Sequence, residues 1–349
     1  MSIYSKRTSF KRWHPLLGEW VVIAPTTAVR PWSGTVVSSV KSDLPEHDPG
    51  CYLCPGVRRA GGDVNPDYAD VHVFDNDFPS LTMQSKVTGG ENTSLDSPAL
   101  GICRVVCFSP KHNITLAEMD PGEIETVVRT FRDQYRELSA VPEIRHVMMF
   151  ENKGAIIGVS NPHPHGQIYA SDFVPRIPLT QHDNAAAYMK KKGKCLFCTI
   201  LEDELADGRR IVSENESFAA FVPSFARHTF EVHIMPKRHV YTILDLSDDE
   251  LAALAGIYRE MLVRYDNLFR MPFPNITIFY NAPCSGEYDP EPYHFHIEFC
   301  PPLRSRDKLK YMAGFETGGG NIINPSLPVE SAEALRSLPV EHYLRSESG

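Results

Sequence analysis

One pattern occurs twice along this 349-residue chain, and that repetition limits the folds open to it. Cys51 and Cys54 stand in "CYLC", and Cys195 and Cys198 in "CLFC". An apolar run then ends in a Pro-Lys-(Arg)-His turn: "CRVVCFSPKH" closes on His112 and "FEVHIMPKRH" on His239. A helical segment follows each turn, then a strand, "IRHVMMFEN" in one half and "NITIFYN" in the other, ending at Asn152 and Asn281. Each half closes on an H-x-H, His163/His165 and His294/His296. The order C-x-x-C, strand, His, helix, strand, H-x-H at this long period is a duplication. It predicts an α+β protein of two similar halves, 1–175 and 176–349, each packing helices on a largely antiparallel sheet. The stretch around 175–194, with its Pro, Asn and Lys residues, reads as the linker.

The helices announce their own starts. Asp120 is placed as an N-cap, with Pro121 at the first helical position and Glu123 three residues after the cap. Ser247 and Glu250 make a capping box. Ile124, Val127, Val128, Phe131 and Tyr135 recur at helical spacing, as do Leu251, Leu254, Ile257, Tyr258 and Leu262.

Composition narrows the class. A hydrophobic fraction of 42% and a charged fraction of 23% suit a globular chain. The net charge of −9 argues against nucleic acid as a partner. No run approaches the roughly 20 apolar residues of a membrane span, and the basic N-terminus lacks a secretory h-region. A cytoplasmic location follows, where paired cysteines are better read as metal ligands than as disulfides.

Two thiolates and two imidazoles fill a tetrahedral zinc site. The first half offers Cys51, Cys54, His112 and one histidine of its H-x-H. The second offers Cys195, Cys198, His239 and one of its own. Iron is an alternative metal for such ligands. Cys103, Cys107, Cys284 and Cys300 match no ligand spacing and read as core. His14, His72, His146, His182, His228, His233 and His342 read as surface or satisfied core residues.

"NPHPHGQ" at 161–167 sets two imidazoles on a stretch stiffened by Pro162 and Pro164. One imidazole can bind the metal while the next stands in a neighbouring cleft. A histidine held with so little freedom suits a nucleophile or a general base. Gln167 adds an amide that can donate to phosphate oxygens.

"FENKGAIIGVSNPHPHGQIY" resembles the active-site signature of the galactose-1-phosphate uridylyltransferases, within the histidine-triad (HIT) superfamily. "GEWVVIAPTTAVRPW", "CYLCPG", "VFDNDFPSL" and "KYMAGFE" resemble further blocks of that family in the same order, over essentially the whole chain. The resemblance implies two HIT-like halves joined into one curved sheet. It implies ping-pong transfer of UMP from UDP-glucose to a hexose 1-phosphate, giving UDP-galactose, with His165 as the uridylylated nucleophile. Gln167 and Ser160 would contact phosphate oxygens. Leu53, Phe74, Asn76 and Asp77 would line the uridine pocket, with Asn152 and Gly158 near the phosphates. Arg30 matches a family arginine, and Lys310, Tyr311, Phe315 and Glu316 match a segment that binds the hexose across a homodimer interface.

By the same resemblance His163 joins Cys51, Cys54 and His112 on the first zinc. His294 joins Cys195, Cys198 and His239 on the second. Better-studied bacterial members use a glutamate and three histidines at that second position. The cysteine version is similar to plant ADP-glucose phosphorylases, so a nucleotide-sugar phosphorylase is the alternative activity. Gln167 favours the transferase, because the phosphorylase pattern has serine there. His296 occupies the place of His165 but is followed by "IEFCPP" rather than "GQIY", so it is expected not to be a second nucleophile.

Overall fold

A computed structural model describes residues 8–29, 44–87 and 95–346. Arg30 lies outside the described residues. A hairpin of β1 (Phe10–His14) and β2 (Glu19–Ile23) precedes the first half. That half holds β3 (His72–Asp75), β4 (Gly101–Cys107), α1 (Pro121–Ser139), β5 (His146–Lys153) and β6 (His165–Ser171). Two helices follow, α2 (Arg176–Lys192) and α3 (Leu196–Asp207). The second half holds β7 (Ile211–Glu214), β8 (Phe218–Phe221), β9 (Val232–Pro236), α4 (Asp248–Phe269), β10 (Asn275–Tyr280) and β11 (His296–Cys300).

Nine strands make one antiparallel sheet in the order β3-β4-β6-β5-β10-β11-β9-β8-β7. The order is its own mirror image about the β5–β10 pair: β3-β4-β6-β5 answers β8-β9-β11-β10, with β7 added at one edge. The duplication is therefore a structural one. Inward and outward residues alternate along β5, as period-2 side-chain geometry requires.

Both capped helices form where expected. The Asp120 N–H donates to Glu123 Oε2 at 2.7 Å, and the Glu250 N–H donates to Ser247 Oγ at 3.2 Å. Ile124, Val127, Val128, Phe131 and Tyr135 are buried, as are Leu251, Leu254, Ile257, Tyr258 and Leu262. They meet Val106, Met149, Ile168, Ile234, Ile297 and Phe299 of the sheet in one core.

The linker expectation is corrected. Residues 176–192 are helix α2, packed rather than free, with Pro178, Gln181, His182 and Ala185 buried. Pro178 sits in the first turn, where a missing N–H costs no helical bond. Gly193 closes the helix at a φ of 67°. Together α2 and α3 cover the opposite face of the second half, burying Ala219, Phe221, Met235 and Tyr280. Among the described residues no α-helix equivalent to α2 and α3 precedes the strands of the first half.

Candidate active site and metal centres

Ligands held about 2.0–2.3 Å from a common ion in a tetrahedron lie roughly 3.3–3.8 Å apart. Cys54 Sγ lies 3.8 Å from His112 Nδ1 and 3.6 Å from His163 Nδ1. The ligand atoms of Cys51, Cys54, His112 and His163 all fall within 4.8 Å of one another, and all four residues are buried. His163 Nε2 is bound at 2.9 Å to the Ser109 carbonyl, which turns Nδ1 to the cluster. Burial pushes the Cys54 thiol up to about 11 and the His163 imidazole down to about 4. A cation is what such a cluster of thiols and neutral imidazoles suits.

The second cluster repeats the first. Cys195, Cys198, His239 and His294 bring their ligand atoms within the same 4.8 Å. Cys198 Sγ lies 3.4 Å from His294 Nδ1, while His294 Nε2 meets the Pro236 carbonyl and His239 Nε2 the Tyr293 carbonyl. Hydrogen bonds from Cys198, then His239 and His294, hold the Cys195 thiol far below its ordinary value. Cys195 caps α3, so this centre ties the helix to the sheet. In both halves it is the first histidine of the H-x-H that joins the cluster.

The second histidine does something else. His165 Nδ1 lies 2.7 Å from the carbonyl oxygen of His163. A carbonyl only accepts, so Nδ1 carries the proton and Nε2 keeps its lone pair. Burial lowers the imidazole's pKa and favours this neutral form. Gly166 lets the strand pass, because a Cβ there would stand 2.6 Å from Phe108 Cζ and 2.9 Å from the Phe150 carbonyl. Gly154, at a φ of 107°, begins the short turn that ends at Gly158, itself at a φ of 91°.

His165 borders a cavity of about 350 Å³, a size suited to a small ligand. Leu53, Phe74, Asn76, Asp77, Asn152, Gly158, Ser160 and Gln167 line it as well, so nine of the predicted residues meet in one place. Tyr52, Phe78, Val105, Ile157 and Val159 also line it, and nothing in their residue type or spacing marks them as ligand contacts in the sequence. A second cavity of about 440 Å³ shares Asn152, Val159, Ser160 and His165 with the first.

Lys310, Tyr311, Phe315 and Glu316 border neither cavity. Tyr311 and Phe315 are 52% and 60% exposed. Glu316 is buried, taking the Lys310 ammonium at 2.5 Å and the Ile323 N–H at 2.9 Å.

In the second half the equivalent place is filled. Gln167 pairs with Phe150 and Glu298 with Ile278, so His296 answers His165 and Tyr280 answers Asn152. Asn281, the apparent partner of Asn152 in sequence, lies one residue off and accepts the Ile243 N–H instead. His296 is fully buried, with Tyr280 stacked on it at 4.9 Å and Phe197 at 5.1 Å. Its Nδ1 meets the His294 carbonyl at 2.9 Å, as in the first half, but its Nε2 is 3.2 Å from Glu298 Oε1. His228 and His233, read as surface or satisfied core histidines, clasp the buried Glu231 at 3.0 and 3.1 Å. Burial pushes the Glu231 carboxyl up, but these two hydrogen bonds outweigh it and hold it well below the usual range.

Comparison with known proteins agrees with this geometry. The family model "Galactose-1-phosphate uridyl transferase, N-terminal domain" matches residues 2–175, and its C-terminal counterpart matches 181–347. The chain is 40% identical over 337 residues to the galactose-1-phosphate uridylyltransferase of Haemophilus influenzae, covering 95% of each. A solved uridylyltransferase structure superposes with a TM-score of 0.75 at 28% identity, over 95% of this chain and 98% of that one. An ADP-glucose phosphorylase from Arabidopsis thaliana, solved with ADP-glucose bound, gives 0.76 at 25% identity, over 95% and 100%. Matched along nearly its whole length, the chain belongs to the galactose-1-phosphate uridylyltransferase family.

Proposed function

We propose that this protein is a UDP-glucose–hexose-1-phosphate uridylyltransferase working by double displacement on His165. The observation that carries the reading is the 2.7 Å contact of His165 Nδ1 with the His163 carbonyl, which leaves Nε2 as a fixed, unprotonated nucleophile beside a nucleotide-sized cavity. Nε2 attacks the α-phosphorus of UDP-glucose. The bond from that phosphorus to the glucose 1-phosphate oxygen breaks, and glucose 1-phosphate leaves. A phosphate oxygen of galactose 1-phosphate then attacks the same phosphorus, the P–N bond breaks, and UDP-galactose and free histidine result. Gln167 and Ser160 donate to the phosphate oxygens as charge builds. Leu53, Phe74, Asn76 and Asp77 receive the uridine, with Asn152 and Gly158 beside the phosphates.

The two Cys₂His₂ sets fit zinc, with iron as the alternative at the second. A metal there supplies structural cross-linking, tying the 51–54 loop and α3 to the sheet. Lys310, Tyr311, Phe315 and Glu316 complete the site of a second copy across a homodimer interface; Glu316 orients Lys310 for that contact. The halves divide at 175/176. Among the described residues no helix is long and apolar enough to cross a membrane. A cytoplasmic location suits cysteines that serve as metal ligands and core residues rather than as disulfides.

The test is intact mass after brief incubation with UDP-glucose and no acceptor. One UMP should add to the parent, not to His165→Ala, and galactose 1-phosphate should discharge it. An adduct from ADP-glucose alone would move the assignment to a phosphorylase.

A further inference from the structure

Behind the wall of the smaller cavity lies a cation that lines neither cavity. The Arg59 guanidinium lies over the Phe74 ring, 4.1 Å from its centroid. Its Nε is 3.6 Å from Asp77 Oδ1, and the two side chains are only 10% and 13% exposed. Nη2 is held on the far side by Asp63 at 2.8 Å. Phe74 and Asp77 both border the cavity, so Arg59 backs the wall at two points.

Asp77 has little room to move. Its turn is pinned by the Asn76 N–H on the Cys103 carbonyl at 2.8 Å and by the Phe78 N–H on Asn76 Oδ1 at 2.9 Å. A Cβ at Gly61 would stand 2.5 Å from Asp77 Oδ1, so the carboxylate occupies space that only a glycine leaves open. Arg59 stands beside Oδ1 at ion-pair distance, longer than a hydrogen bond, and the Asp77 side that borders the cavity is what a ligand meets. A carboxylate accepts only, so it repels phosphate and takes hydroxyl or N–H donors. Beside a cavity walled by Phe74, Phe78 and Tyr52, which suit a base, the natural donors are the adjacent hydroxyls of a ribose.

We propose that Arg59 makes the cavity selective for ribonucleotides over deoxyribonucleotides, by holding the Asp77 carboxylate toward the sugar. This rests on reading the cavity as a nucleotide site. Arg59 is a positioning residue. It is always charged, and its planar group both stacks and pairs, which a lysine cannot do at once. A site built around a hydroxyl donor discriminates against the analogue lacking it, because its own polar group is then left unpaired.

The experiment is calorimetric titration of the metal-loaded protein with UDP and with 2′-deoxy-UDP. The parent should favour UDP by about tenfold or more, the value of a hydrogen bond to a charged group. Arg59→Ala should shrink that preference to roughly threefold or less, almost wholly through weaker UDP binding. Asp77→Asn should do the same, and Arg59→Ala added to it should change little further. Arg59→Lys and Arg59→Gln, chosen to survive if the alanine variant does not fold, should rank Arg, Lys, Gln in preference. An unchanged ratio in the Arg59 variants, equal weakening of both nucleotides, or additive effects would overturn the proposal. So would a parent that binds neither nucleotide. A parent that binds UDP selectively yet never takes UMP onto His165 would uphold it and overturn uridylyl transfer instead.

Discussion

His296 Nε2 lies 3.2 Å from Glu298 Oε1, so the nitrogen left free in His165 is occupied in its counterpart. Two imidazoles with the same backbone tether therefore have different fates. His165→Asn should lower turnover by roughly a thousandfold or more, as removal of a covalent nucleophile does. His296→Asn should retain a substantial part of it. Steady-state assays of both variants, with melting curves to separate folding from chemistry, decide this. Equal losses would refute the distinction.

The two metal centres should be separable. Cys54→Ser should lose one metal equivalent and, because His163 both joins that centre and carries the carbonyl under His165, should lose turnover as well, by roughly tenfold or more. Cys198→Ser should lose the other equivalent with the smaller effect on turnover and a clear drop in melting temperature. Elemental analysis of the purified variants beside their rates checks both. The reverse ranking would show that the second centre governs the reaction.

Lys153 and Asp266 form a buried ion pair at 2.7 Å, with Asp266 also taking the Phe273 N–H at 2.8 Å. The pair anchors the end of β5, one residue before the Gly154 turn. Breaking a buried pair strands a charge, so Asp266→Asn should cost about 3–5 kcal/mol. Urea unfolding at constant m-value measures it. A loss below ~1 kcal/mol would mean that the ammonium finds water or another partner.

His146 gives a pH signature. Burial holds its pKa down from the ordinary 6.5 to about 4, and neither ring nitrogen has a hydrogen-bond partner among the described residues. The fold thus accepts the neutral ring, while the unfolded chain protonates at its ordinary value. Stability from this group is complete above pH 6.5 and drains away as the pH falls through 4, by about 3 kcal/mol in the limit. His146→Phe should flatten that limb of the stability curve. An unaltered slope between pH 6.5 and 4 would show that His146 does not set it.

Much of the site is legible in the sequence. The C-x-x-C pairs, His112 and His239 announced the metal centres because ligand chemistry restricts residue type. The capped helices announced themselves because Asp120 and Ser247 stand three residues before a glutamate. Helix α2 was hidden because its proline and asparagine carry turn statistics, and only position in the first turn makes Pro178 harmless. The register of Asn281 was hidden because a strand's last residue in sequence need not be its last paired one. Arg59 carries no signal in sequence, and for His228 and His233 only the partner is hidden, for a common reason: each gains its meaning from a residue that the fold brings near, Asp77 and Phe74 for the first, Glu231 for the others.

His165 stands on β6, an interior strand with β4 on one side and β5 on the other. A reactive group built on such a platform does not travel. In a reaction that must release one sugar phosphate before admitting the next, the traffic then falls to the ligands and to whatever guards the cavity mouth. The histidine waits, loaded, at a fixed address, and the lifetime of its nucleotide cargo is set by how well water is kept from that one spot.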